Sequence, residues 1–142
     1  MPVKAPAVLL LLLVAACSSS SSHKATPADA KPTLPVVKES FTLLPCDDAT
    51  NVGEEGCLEK DVLAADANVN ALVKGYWDKG DQQNRAALAK SETAWSAYRS
   101  ALCRWEGDQY RDGSIVPVVV AQCLSDLTTQ HVKDLKAAAV DG

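Results

Sequence analysis

Apolar residues recur with a helical step through most of the chain. Leu58, Val62, Ala65, Val69, Leu72 and Tyr76 follow one another at intervals of four and three, a single stripe on one helix. Gly75 and Gly80, with Asp78 and Asp81, mark its end and the turn that follows. A second helix is predicted from about Asp81 through Trp105, with Leu88, Trp95, Tyr98, Leu102 and Trp105 as its candidate core face. The tract Ser114 to Val120 is β-branched and has strand propensity. However, Ser114 suits an N-cap, Pro117 is tolerated in a first turn, and Val120, Leu124, Leu127, His131 and Leu135 continue at helical spacing. A strand would also have no second strand to pair with. The pattern therefore predicts an all-α fold, a small bundle of three to four helices.

The N-terminus has a different character. Lys4 is a minimal positive region, Ala5 to Val14 is apolar, and Val14-Ala15-Ala16 supplies small residues just before Cys17. This is the layout of an export signal over residues 1–16. The apolar run is too short to span a bilayer comfortably, which takes about 20 residues. Leu13-Val14-Ala15-Ala16-Cys17 resembles the bacterial lipobox, whose cysteine is acylated and becomes the new N-terminus. The resemblance implies a lipid on Cys17, contact with a membrane through that lipid, and residence in the bacterial envelope, on the periplasmic side or the cell surface. Residues 17–45 read as a Ser/Pro-rich tether: Ser18 to Ser22, then Pro27, Pro32, Pro35 and Pro45. Phe41, Leu43 and Leu44 interrupt it and are candidates to dock on the domain edge.

With Cys17 set aside, Cys46, Cys57, Cys103 and Cys123 remain, an even number suited to an oxidising compartment. Three pairings are open to four thiols. Cys46–Cys57 with Cys103–Cys123 closes the shortest loops, each bridge contributing about 3 kcal/mol in the chain-entropy picture. A zinc site is the rival, but no C-x-x-C pair is present. Disulfides are expected to staple the bundle.

Charge narrows the function classes. Residues 46–142 carry ten basic and sixteen acidic side chains, a formal −6, and no basic run, which argues against nucleic acid as a partner. There is no Gly-rich phosphate loop, no H-E-x-x-H and no G-x-S-x-G, and no cofactor is implied. His131 sits on an apolar stripe rather than beside a nucleophile, and reads as a core or boundary histidine. Glu54, Glu55, Glu59 and Asp61 at a helix start are explained by the macrodipole and solvation. An enzyme is not expected.

Two segments carry a likeness to a known family. The second helix contains Ala94-Trp95-Ser-Ala-Tyr98-Arg99-Ser-Ala-Leu-Cys103, and the third segment runs Gly113-Ser114-Ile115 and then Cys123-Leu124-Ser-Asp-Leu127-Thr128. Together they resemble the lysozyme inhibitor LprI-like N-terminal domain family, with its A-W-x-x-[YF]-R-x-x-x-C helix, G-S turn and C-L-x-x-x-T helix. Cys46 and Cys57 match the family's leading cysteine pair, and Asp66-Ala-Asn-Val-Asn70 resembles its D-x-x-L-N element. The likeness covers residues 46–142. The chain departs from the pattern at Glu92, Ser100 and His131, where Gln, Asp and Arg are usual.

The motif residues also have a scaffold reading. Trp95 and Tyr98 would bury large areas, and Arg99 can lay its guanidinium along the Trp95 ring while its head reaches water or a carboxylate. Gly113 would permit a positive φ before the Ser114 cap. The resemblance implies a binding protein that inhibits lysozyme by occluding its cleft. Asp108, Arg111 and Asp112 in the Gly107 to Gly113 connection, or the acidic segment Asp47 to Glu55, are the candidate contacts. The residues alone equally allow a structural or interaction lipoprotein that binds another periplasmic protein or the cell wall.

Overall fold

The computed structural model describes residues 31–47 and 49–138. Cys17, the export signal and the first part of the tether lie outside the described residues. Three helices follow in order, α1 (Asn51–Lys79), α2 (Gln82–Asp108) and α3 (Val116–Ala138), and the described residues contain no strand. The fold is the expected all-α bundle, with three helices.

Local chemistry sets the helix starts. The Thr50 hydroxyl accepts from the Gly53 N–H at 3.0 Å at the head of α1. The Asp81 carboxylate does the same for the Asn84 N–H at 2.7 Å at the head of α2. At the head of α3 the expectation fails in detail. The helix begins at Val116, the Ile115 carbonyl accepts its first bond from the Val119 N–H, and the Ser114 hydroxyl accepts instead from Asn51 Nδ2 at 3.5 Å. Pro117 does fall in the first turn. Gly113 does not adopt a positive φ either; Asp112 does, at 69°. A short polar side chain tolerates that region, and Gly113 is needed for space, since a Cβ would crowd the Tyr110 carbonyl oxygen.

α1 and α3 form the principal pair, and α2 packs mainly on α3. One apolar cluster joins Val69 and Val73 of α1 to Val132 and Leu135 of α3. A second joins Val62 to Leu124 and the Cys103–Cys123 disulfide. That bridge ties α2 to α3, and Cys46–Cys57 ties the chain entering α1 to its second turn. Gly53 and Gly56 make the entry possible, because a Cβ at either would collide with Asp47 or with the backbone of Leu44 and Pro45.

Residues 31–45 do not behave as the tether that their composition suggests. They run extended along α1, on its α2 side, and Val37 is buried as part of the core, packed among Val69, Val73, Val132 and Leu135. Asn70 holds the Val37 backbone at both ends, accepting from its N–H at 2.9 Å and donating to its carbonyl at 2.8 Å. Asp66 accepts from the Glu39 N–H and Glu59 from the Leu44 N–H. An extended segment has no internal partners for its backbone, and a buried one must find them elsewhere. Here one face of α1 supplies them. Of the three apolar residues expected to dock, Phe41 joins the second cluster, Leu44 is half-buried, and Leu43 is exposed.

Candidate functional site

The most densely connected polar cluster lies inside the bundle. Arg99, 1 % exposed, donates through Nη1 to Asp66 Oδ1 at 2.6 Å and to Thr128 Oγ1 at 2.7 Å. Its Nη2 donates to Glu39 Oε1 at 2.6 Å. The Thr128 hydroxyl donates in turn to the Leu124 carbonyl, which leaves a lone pair for the arginine. Four elements thus converge on one guanidinium: the extended segment, α1, α2 and α3. Its Nε alone among buried side-chain nitrogens and oxygens of the described residues has no partner.

Trp95 connects this cluster to a second. The Arg99 guanidinium lies 5.2 Å from its ring centroid. The His131 ring stacks on it at 3.9 Å with 12° between planes. His131 Nε2 meets Glu92 Oε2 at 2.9 Å, and that carboxylate is almost wholly buried. Two of the three departures from the family pattern, Glu92 and His131, are therefore partners of each other. These groups are spent on one another, as buried polar and charged groups must be. The histidine has its carboxylate but no nucleophile, and no group of residues among those described could hold a metal ion.

The core face expected for α2 needs correction. Tyr98 and Trp105 are 56 % and 58 % exposed, while the buried positions are Glu92, Arg99, Cys103 and Gly107. The physical reason is the partners. Asp66, Glu39, Thr128 and His131 on the other elements solvate a polar inner face, so α2 can turn Tyr98 and Trp105 outward. Arg99 stacks on Trp95 as expected, and its head reaches carboxylates rather than water. Gly107 lets α2 approach α3, since a Cβ would collide with Val120.

The exposed loop candidates come together at one end of the bundle. Asp108, Arg111, Asp112 and Tyr110 are exposed in the α2–α3 connection. The Asn51–Ser114 hydrogen bond joins this connection to the head of α1, next to the Cys46–Cys57 bridge. Val52 and Ile115 add exposed apolar surface there. Glu55, on the first turns of α1, has its carboxyl pushed above the ordinary range by partial burial, and secondarily by the Glu59 carboxylate beside it. The sequence reading did not single out Glu39 or Thr128 as a site, nor see what Asp66 does. A usable signal was present: Asp66 falls between Val62 and Val69 on the buried stripe, where an acidic residue requires a cation.

Comparison with known proteins decides the family. The model of the lysozyme inhibitor LprI family matches residues 46–135. The chain belongs to the LprI family. An uncharacterized protein of Rhizobium meliloti (strain 1021) is 31% identical over 93 residues, covering 56% of this chain and 67% of the relative. No solved structure matches. The LprI signature residues can now be read from this geometry. Trp95, Arg99, Asp66 and Thr128 form the buried cluster, the four cysteines form two bridges, and Asn70 clamps the extended segment.

Proposed function

We propose that this protein is an envelope-anchored binding lipoprotein that inhibits lysozyme by covering its cleft with the disulfide-closed end of the bundle. The observation that carries the reading is the LprI family match over residues 46–135. The family is one of inhibitors, not of enzymes. Two features support the assignment to this end: Arg111 stands exposed between Asp108 and Asp112, and the disulfide and the Asn51–Ser114 contact hold the surface in place. A preorganised surface loses less entropy on binding. The formal −6 of residues 46–142 complements a basic lysozyme and speeds encounter, an effect that salt screens. Anchoring through a lipid on Cys17 rests on the lipobox-like sequence, since acyl chains add about 0.8 kcal/mol of membrane affinity per buried methylene.

A cell-wall turbidity assay with purified protein tests the inhibition. Clearing should slow in proportion to added protein, recover as salt rises, and be less inhibited by Arg111→Ala. Undiminished clearing at excess protein would discard the reading. Palmitate labelling tests the anchor separately, and Cys17→Ser should abolish it. A protein-binding role without lysozyme has one observation in its favour, the face of α2 that turns Tyr98 and Trp105 to solvent.

A further inference from the structure

We propose that the outer face of α2 is a self-pairing surface, on which a second copy of this chain docks through its own α2 in the antiparallel direction. Ala94, Tyr98, Ala101 and Trp105 follow at steps of four, three and four, and all four are exposed. This is the spacing of a helix–helix seam, on the side of α2 opposite the residues that Arg99 and Glu92 commit to the interior. Its sizes alternate small, large, small, large.

That alternation has a two-fold solution. Pairing two α2 helices antiparallel about a point between residues 99 and 100 sets Tyr98 over Ala101 of the second copy, and Trp105 over Ala94 of the second copy. Each ring then fills the space above an alanine, and two-fold symmetry makes the contact twice. A parallel pair would stack ring on ring and leave alanine facing alanine.

Charge selects the same arrangement. Lys90 and Asp108 lie on one flank of the seam, both exposed, and neither has an ion-pair partner among the described residues. The antiparallel register brings Lys90 beside Asp108 of the second copy at both ends of the seam. A parallel pair would put this flank of the two copies on opposite sides of the seam and make no such contact. The seam is short, about 17 Å from Ala94 to Trp105 at 1.5 Å per residue and about 27 Å with the flanking charges, which belongs to the weaker class of interfaces, so the dimer is concentration-dependent. It involves the outer face of α2 rather than the loop of the inhibitor reading, and the two surfaces meet at Asp108.

A zero-length carbodiimide crosslink on the full chain in detergent, with unlabelled and 15N-labelled copies mixed, tests the pairing. Lys90 and Asp108 are about 27 Å apart along one helix, so a link between them must join two molecules. The expected product is a Lys90–Asp108 peptide pair of mixed isotope. Ala101→Glu, at a position exposed in the single chain, places a carboxylate under each Tyr98 ring and should cut that product by roughly tenfold or more, with helical circular dichroism unchanged. A chain that stays monomeric in sedimentation at the highest attainable concentration would overturn the proposal. So would a dimer lacking this link, or a link that survives Ala101→Glu, since the last reports only two chains sharing a micelle.

Discussion

The two faces of α2 invert the usual arrangement of an amphipathic helix. The inner face buries Arg99 and Glu92, and the outer face exposes Tyr98 and Trp105. Trp95 and Tyr98 are three positions apart, yet the first packs against a guanidinium and an imidazole while the second faces solvent. The comparison teaches that burial here follows the availability of partners more than hydrophobicity. A charge can occupy the centre of a small bundle when four elements each bring an acceptor or a ring to it.

The sharpest way to break the contrast is Arg99→Met. It leaves Asp66 and Glu39 facing an apolar side chain, and should cost about 3–5 kcal/mol in urea denaturation. A double-mutant cycle with Asp66→Leu should return part of that loss, because it removes the more deeply buried of the two unpaired carboxylates and leaves only the partly exposed Glu39. Next in size is the covalent counterpart on the same face. Cys103→Ala with Cys123→Ala opens a bridge of sequence separation 20 and should cost about 3 kcal/mol, read as a lower thermal midpoint.

Asn70→Ala should cost about 1–3 kcal/mol through the two backbone groups it strands. It should also make residues 31–45 the first site of limited proteolysis. On the outer face, Tyr98→Ala in dilute protein should change stability by no more than about 0.5 kcal/mol, while Trp95→Ala should cost several times that. Equal losses at the two positions would remove the distinction between faces.

The smallest effect is expected at Glu55, whose charge lacks what Arg99 has. Its carboxyl is raised in the folded state, so folding favours the protonated form. The contribution is present below the unfolded value and is lost as pH rises through the higher folded one. Glu55→Gln should therefore stabilise slightly at neutral pH, by less than about 0.5 kcal/mol, and flatten the pH dependence in that window.

Much of the fold was legible in the sequence. The stripe from Leu58 to Tyr76 located α1, the four cysteines paired as loop closure suggested, and Pro117 fell in a first turn. What escaped is polar burial. Periodicity weighs Tyr98 as core and Arg99 as surface, because it cannot see that Asp66 and Glu39 arrive from elsewhere to neutralise the guanidinium. The extended segment escaped for a related reason. Its prolines and small polar residues look like linker, and the single buried Val37 is held by a side chain 33 positions away. The loop end was half legible: its residues were named, but not its contact with the head of α1.

Under the lipid anchor proposed at Cys17, the docked segment also changes how far the module would stand from a bilayer. A leash running from an acyl group at Cys17 to Cys46 would reach about 100 Å at full stretch, against about 50 Å for one that stops at Lys31. Release of the Asn70 clamp would roughly double that radius, so under the proposed anchor the latch on Val37 would double as a length setting.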